Sequence, residues 1–157
     1  MSDKNLAEKM AAVMASIGKI EKEGHNAFHG YAYLTEAQIA ATLRHKLGEA
    51  GICILTSIET AQTTVREHAK GIERFVEVGI SITFTDGKDS LAVKSIGQAI
   101  DNNGDKAIYK AITGATKYAL MKTFLISDGH DPEADDSVDR GYEPAPQKPA
   151  PKAEPKK

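Results

Sequence analysis

Proline is missing from the first 131 residues of this chain; all six prolines lie at or beyond Pro132. A prolyl ring removes a backbone donor and breaks regular ladders, so this division separates an ordered part, residues 1–131, from a C-terminal segment of different character. The segment 132–157 starts acidic, with Glu133, Asp135, Asp136 and Asp139, and then turns Pro/Ala/Lys-rich from Pro144 onward. It has almost no apolar side chains to bury, so a disordered tail is expected. Cysteine is nearly absent. The lone Cys53 excludes a disulfide framework within one chain and fits a reducing compartment. It lies in the apolar run 52–55, where a buried free thiol is expected.

Other absences narrow the function. The first nine residues lack the apolar core of a secretory signal, and no stretch is long enough to span a bilayer, so secretion and membrane insertion are not expected. Excess positive charge is also missing: the net charge is −2. A phosphate-binding surface would therefore be a local patch on a near-neutral body, and its binding would depend strongly on salt. There is no Gly-x-x-x-x-Gly-Lys-[Ser/Thr] loop, which disfavours an ATP-driven motor, and no Gly-x-Gly-x-x-Gly strand-turn-helix for a dinucleotide. His25 and His29 lack the two further ligands a metal site needs, and Cys53 and His130 stand at no companion spacing. Asp101-Asn102-Asn103-Gly104-Asp105 resembles a calcium loop but has Ile112 where the closing glutamate belongs, so a turn and helix cap is the simpler reading. Asp128, Asp131, Asp135 and Asp136 could be drawn as a two-metal nuclease cluster. Their place at the edge of a disordered tail suits a solvated acidic run better.

A 41% hydrophobic fraction supplies a core. Leu6, Met10, Val13, Ile17 and Ile20 recur at helical spacing, which predicts a first helix over about residues 3–23, with Gly24 as its stop. Phe28, Tyr31 and Tyr33 stand beyond it in an aromatic loop. They can cover the core or stack on bases. Thr35 and Gln38 form a capping box, opening a second helix whose buried face is Ala40, Leu43, Leu47 and Ala50, ended by Gly51. A short strand at 52–55 comes next. The alternation Val76, Val78, Ile80, Ile82 and Phe84 predicts a half-buried antiparallel strand over 72–84. Asp86-Gly87 signals a hairpin, 91–96 returns as a strand, and 97–104 reads as a turn with Asp105 capping a last helix. The expected fold class is α+β, an antiparallel sheet packed with helices.

That last helix is the most informative stretch. At ~100° per residue, Lys106, Lys110, Thr113 and Lys117 share one side, and Ile108, Ala111, Ile112, Ala115 and Ala119 share the other. The apolar side can pack on a sheet and leave a row of ammonium groups outward, spaced on the scale of nucleic-acid phosphates. A merely solvated lysine face has the same pattern.

The run from Asp105 through Lys106-Ala107, Tyr109-Lys110-Ala111, Thr113-Gly114-Ala115 and Lys117-Tyr118-Ala119-Leu120-Met121-Lys122-Thr123-Phe124-Leu125, its sequel Asp131-Pro132-Glu133-Ala134-Asp135, and Tyr33-Leu34-Thr35 upstream resemble the Erf (essential recombination function) family of phage and prophage single-strand DNA annealing proteins. The resemblance spans nearly all of residues 1–135 and carries no signal in the tail. It implies a β-β-β-α core like that of the ring-forming eukaryotic Rad-type annealing proteins. It further implies ATP-independent annealing of complementary strands by a homo-oligomer, ring or filament, with no bond made or broken and no cofactor. Lys117 is then the first expected phosphate contact, followed by Lys106 and Lys110. Lys122, Thr113, Tyr31 and Tyr33 complete the expected DNA-binding set. Where the Rad-type relatives tend to have consecutive basic residues, Tyr118 follows Lys117, and its role is left open. The implied location is the cytoplasm of a bacterial host. The tail could tether a host single-strand-binding protein or a phage exonuclease. A non-catalytic scaffold for replication proteins, or a metal-dependent nuclease, are the alternative readings.

Overall fold

The computed structural model describes residues 4–27, 30–69, 71–102 and 105–127. Three helices, α1 (Leu6–Ser16), α2 (Glu36–Glu49) and α3 (Ala107–Thr123), are interleaved with five strands: β1 (Gly24–Asn26), β2 (Tyr31–Tyr33), β3 (Cys53–His68), β4 (Gly71–Thr85) and β5 (Ser90–Asn102). Strands β1 and β2 form a small antiparallel ribbon, and β3-β4-β5 form an antiparallel sheet with β4 in the centre. The unit β3-β4-β5-α3 is the expected β-β-β-α core, and the class is α+β.

Alternation on β4 decides how the layers stack. Val76, Val78, Ile80, Ile82 and Phe84 are all buried on the face that receives α3. From the helix come Ala107, Ala111, Ala115 and Ala119, all buried as well. These small residues let α3 lie close on β5, where Gly97 passes beneath it. A Cβ built on Gly97 would collide with the Ala111 carbonyl oxygen and stand 2.8 Å from the Ala115 Cβ. Gly97 is thus a close-approach position inside a strand that runs on to Asn102, and the expected turn over 97–104 is corrected accordingly. Helical periodicity and strand ladder meet at this one residue. Its glycine looks like punctuation in the sequence, whereas its purpose is steric.

Past the sheet, α3 runs on against α2. Leu120, Met121 and Phe124 are buried there with Leu34, Ile39, Leu43 and Leu47. The Phe84 and Phe124 rings meet edge to face, centroids 5.6 Å apart, a geometry worth about 0.5–1.5 kcal/mol beyond area burial. The helix ends in a Schellman turn. Leu125 takes a left-handed φ of 53°, and the Ile126 amide donates to the Met121 carbonyl at 2.9 Å.

The capping box at Thr35 forms as expected: the Gln38 amide donates to Thr35 Oγ1, and Gln38 Oε1 accepts from the Thr35 amide. The buried stripe of α2 is Ile39, Leu43 and Leu47, with Ile39 taking the core position expected of Ala40. The first helix is shorter than its periodicity suggests. It closes at Ser16, whose carbonyl accepts from Lys46 Nζ at 2.8 Å, and Ile17 and Ile20 reach the core from an extended segment. Gly24 opens β1 instead of ending a helix. The Asp86 hairpin also forms. Asp86 accepts from the amides of Lys88 and Asp89 and from Lys9 Nζ, tying α1 to the hairpin at 2.8 Å. These bonds, the Asp89 amide foremost, hold the Asp86 carboxyl well below the usual carboxylate range.

Cys53 is exposed, not buried. Its strand β3 is an edge, and α3 lies over β4 and β5. The apolar run around Cys53 resembles core because a fully buried strand and the start of an edge strand look alike in sequence. Among the described residues no helix is long and apolar enough to cross a membrane.

Candidate nucleic-acid interface

The outer face of α3 carries the candidate site. Its inner face is fixed by the alanines over Gly97, so the opposite side must point away from the sheet. Lys106, Lys110, Thr113 and Lys117 therefore stand on one surface, where they border a shallow open groove with Asp105, Tyr109, Gly114 and Tyr118. Lys106, Lys110 and Thr113 are exposed, and Lys117 is half-buried.

This arrangement works against helix stability. Lys106 is the N-cap of α3, it makes no side-chain capping bond, and the first turn holds no acidic residue. The N-terminal end of a helix carries the positive end of its dipole, so cations at Lys106 and Lys110 are unfavourable there. Asp101 on β5 offsets part of this cost. Its carboxylate accepts from the Lys106 amide at 2.9 Å and from Lys110 Nζ at 2.9 Å. The Lys110 bond first, and the Lys106 amide second, hold the Asp101 carboxyl below its ordinary value. Asp101 thus does the capping that was expected of Asp105. Acting from five residues away, it lies outside the local spacing that marks a cap.

At the other end of the row, the Lys117 ammonium sits between two rings, 5.4 Å from the Tyr33 centroid and 5.1 Å from that of Tyr118. Both distances fall within cation–π range. The β1-β2 ribbon is what carries Tyr33 to this point. The sequence leaves Tyr33 open between core cover and stacking; it is half-buried, with its ring against a lysine. The side chain of Tyr31 and the residues Phe28 and His29 lie outside the described residues, as do Gly104, His130, Asp128, Asp131, Asp135, Asp136 and the tail. Lys122 is exposed but does not border the groove. At 100° per residue it falls about 160° round the helix from Lys106.

Two residues that border the row were not in the expected set. Tyr109 is 70% exposed and Tyr118 is 56% exposed. Helical angle alone could have found them, since Tyr109 lies about 60° from Lys106 and Tyr118 about 100° from Lys117, on opposite flanks. Among the described residues no cluster of three His, Cys, Asp or Glu side chains could hold a metal ion.

Fold and surface together define an α+β sheet-and-helix domain that presents an open, cationic, tyrosine-bordered helical face. The model of the ERF superfamily matches residues 6–157, and the chain belongs to that superfamily, a family of phage recombination and single-strand DNA annealing. The match runs on through the tail, where the residues themselves carry no legible signal. A search of curated proteins returns no match.

Proposed function

We propose that this protein binds single-stranded DNA along the outer face of α3 and anneals complementary strands without ATP, acting as a homo-oligomer in phage recombination. The observation that carries the reading is the row Lys106, Lys110 and Lys117 on the exposed side of a helix whose N-terminal end disfavours two of the three. A surface that costs helix stability calls for a reason outside the fold, and phosphate binding supplies one. Annealing breaks no bond. The protein must neutralise one backbone and leave base edges free to test a second strand, and lysines do this without reading sequence. Specificity then comes from base pairing, and neither nucleotide nor metal is required.

Three lysines bind one strand weakly. Repeating the row around an assembly raises avidity without new contacts, which suits a near-neutral protomer. The edge strand β3, with Leu55, Ile58 and Val65 more than half exposed, supplies apolar surface for contact between subunits.

The test is annealing of two complementary fluorescent oligonucleotides in the absence of nucleotide and metal, across a salt series. The expected result is acceleration at low salt that fades as salt rises, with no acceleration by the folded variant carrying alanine at Lys106, Lys110 and Lys117. A folded, oligomeric protein that leaves the annealing rate unchanged would overturn the reading.

A further inference from the structure

We infer that Tyr109 and Tyr118 are base-stacking platforms, so that each end of the lysine row offers one phosphate contact and one aromatic face to a single strand; this rests on the single-strand reading above. Both rings are large, apolar and mostly exposed, at 70% and 56%. Neither is accounted for by the core, which contains neither of them. Each adjoins a lysine: Tyr109 stands one turn beyond Lys106, and Tyr118 is next to Lys117 in the chain. The two tyrosines are nine residues apart, about 13 Å along the axis and half a revolution round it. They therefore flank the row on opposite sides. A backbone lying on the lysines would have an aromatic face to one side at its start and to the other at its end.

The chemistry favours bases over an additional phosphate at these positions. A phenol ring repels anionic charge at its face but stacks on any nucleobase, because every base has a π-face. The Lys117 ammonium lies 5.1 Å from the Tyr118 centroid and 5.4 Å from that of Tyr33. One side of the ring pair is thereby anchored by a cation that is itself a phosphate contact. Stacking of this kind tolerates any sequence, as annealing demands, and leaves the pairing edges uncovered.

The chain has no tryptophan, so intrinsic fluorescence reports tyrosine alone. The full-length protein is titrated with oligothymidine of about 16 nucleotides, the upper end of the site size of a single-strand-binding module. A second titration uses an abasic oligonucleotide of equal length and charge. The expected result is quenching by oligothymidine, and an affinity for it above that for the abasic strand by about fivefold to a hundredfold for each base-aromatic stack, at ~1–3 kcal/mol per stack. Tyr118→Leu and Tyr109→Leu each narrow that gap, while Tyr118→Phe and Tyr109→Phe keep it. The salt slope stays that of the parent, because no phosphate contact is removed. If Tyr118→Leu acted only by releasing Lys117, the slope would fall and the base preference would survive, and the inference would be overturned. Equal affinity for the two probes, with the lysine variants still losing both, overturns stacking and leaves the lysine row standing. No binding of either probe overturns both.

Discussion

The two faces of α3 are built from the same helix under opposite rules. Inward, Ala107, Ala111, Ala115 and Ala119 are all but fully buried over β5, and Gly97 leaves no room for a single carbon. Outward, Lys106, Tyr109, Lys110 and Tyr118 are exposed. The inner face is specified by shape: side chains are small because the helix must approach. The outer face is specified by charge and ring chemistry, at some cost to the helix dipole. A change to one face should therefore read out in stability, and a change to the other in ligand binding. The comparison breaks wherever those readouts cross.

The largest effect is expected at Gly97. Gly97→Ala forces a methyl into the Ala111 carbonyl and the Ala115 side chain, and backbone cannot give way as a flexible side chain could. Overpacking of this kind costs typically 1–3 kcal/mol and at times more, so a loss of about 3 kcal/mol is expected from the urea midpoint. Single-strand affinity per folded molecule should change far less. A stable Gly97→Ala protein with impaired DNA binding would mean that α3 had shifted and that its two faces are not independent.

A contrast of lysines sharpens the outer face. Lys117 borders the groove, and Lys122, one turn and a half later, does not. Lys117→Ala should weaken single-strand binding and lower the salt slope by about 0.7, the loss of one phosphate contact. Its cost to stability is within about 1 kcal/mol, the scale of the cation–π contacts it makes with Tyr33 and Tyr118. Lys122→Ala should leave both affinity and slope unchanged. Equal losses at the two positions would show a cationic surface that wraps the helix, not a row.

Much of this helix is legible in the sequence, and the reason is physical. A 100° period is local, so the split between Lys106, Lys110, Thr113, Lys117 and the alanines comes from spacing alone. The capping box at Thr35 and the alternation from Val76 to Phe84 are local in the same sense. The hidden features depend on a partner across space. Gly97 looks like a turn until α3 lies on it. Asp101 looks like part of a calcium loop until it receives the Lys106 amide and the Lys110 ammonium. Cys53 looks buried until β3 proves to be an edge. Tyr33 finds Lys117 across more than eighty residues, a contact that no spacing rule encodes. Lys122 enters the expected set through the motif it shares with Lys117, although its helical angle already sets it apart.

The smallest effect, and the one that tests where the two faces join, is expected at Asp101. Its carboxylate links β5 to the first turn of α3 and also ties up Lys110 with a bond of 2.9 Å. Because its folded pKa lies below the ordinary 3.8, Asp101 contributes stability that is complete above that value and is lost as pH falls through the lower, folded one. Asp101→Asn keeps an acceptor for the Lys106 amide but removes the charge. Thermal midpoints tracked from neutral pH down through the carboxylate range should therefore fall less steeply for the variant. The remaining acid slope comes from groups such as Asp86, whose carboxyl is depressed in the same direction. At neutral pH the variant should be slightly less stable and bind a single strand slightly more tightly, since Lys110 no longer divides its charge between a carboxylate and a phosphate. Parallel acid slopes in parent and variant would remove Asp101 from the account of stability. Unchanged or weaker binding would remove Lys110 from the row.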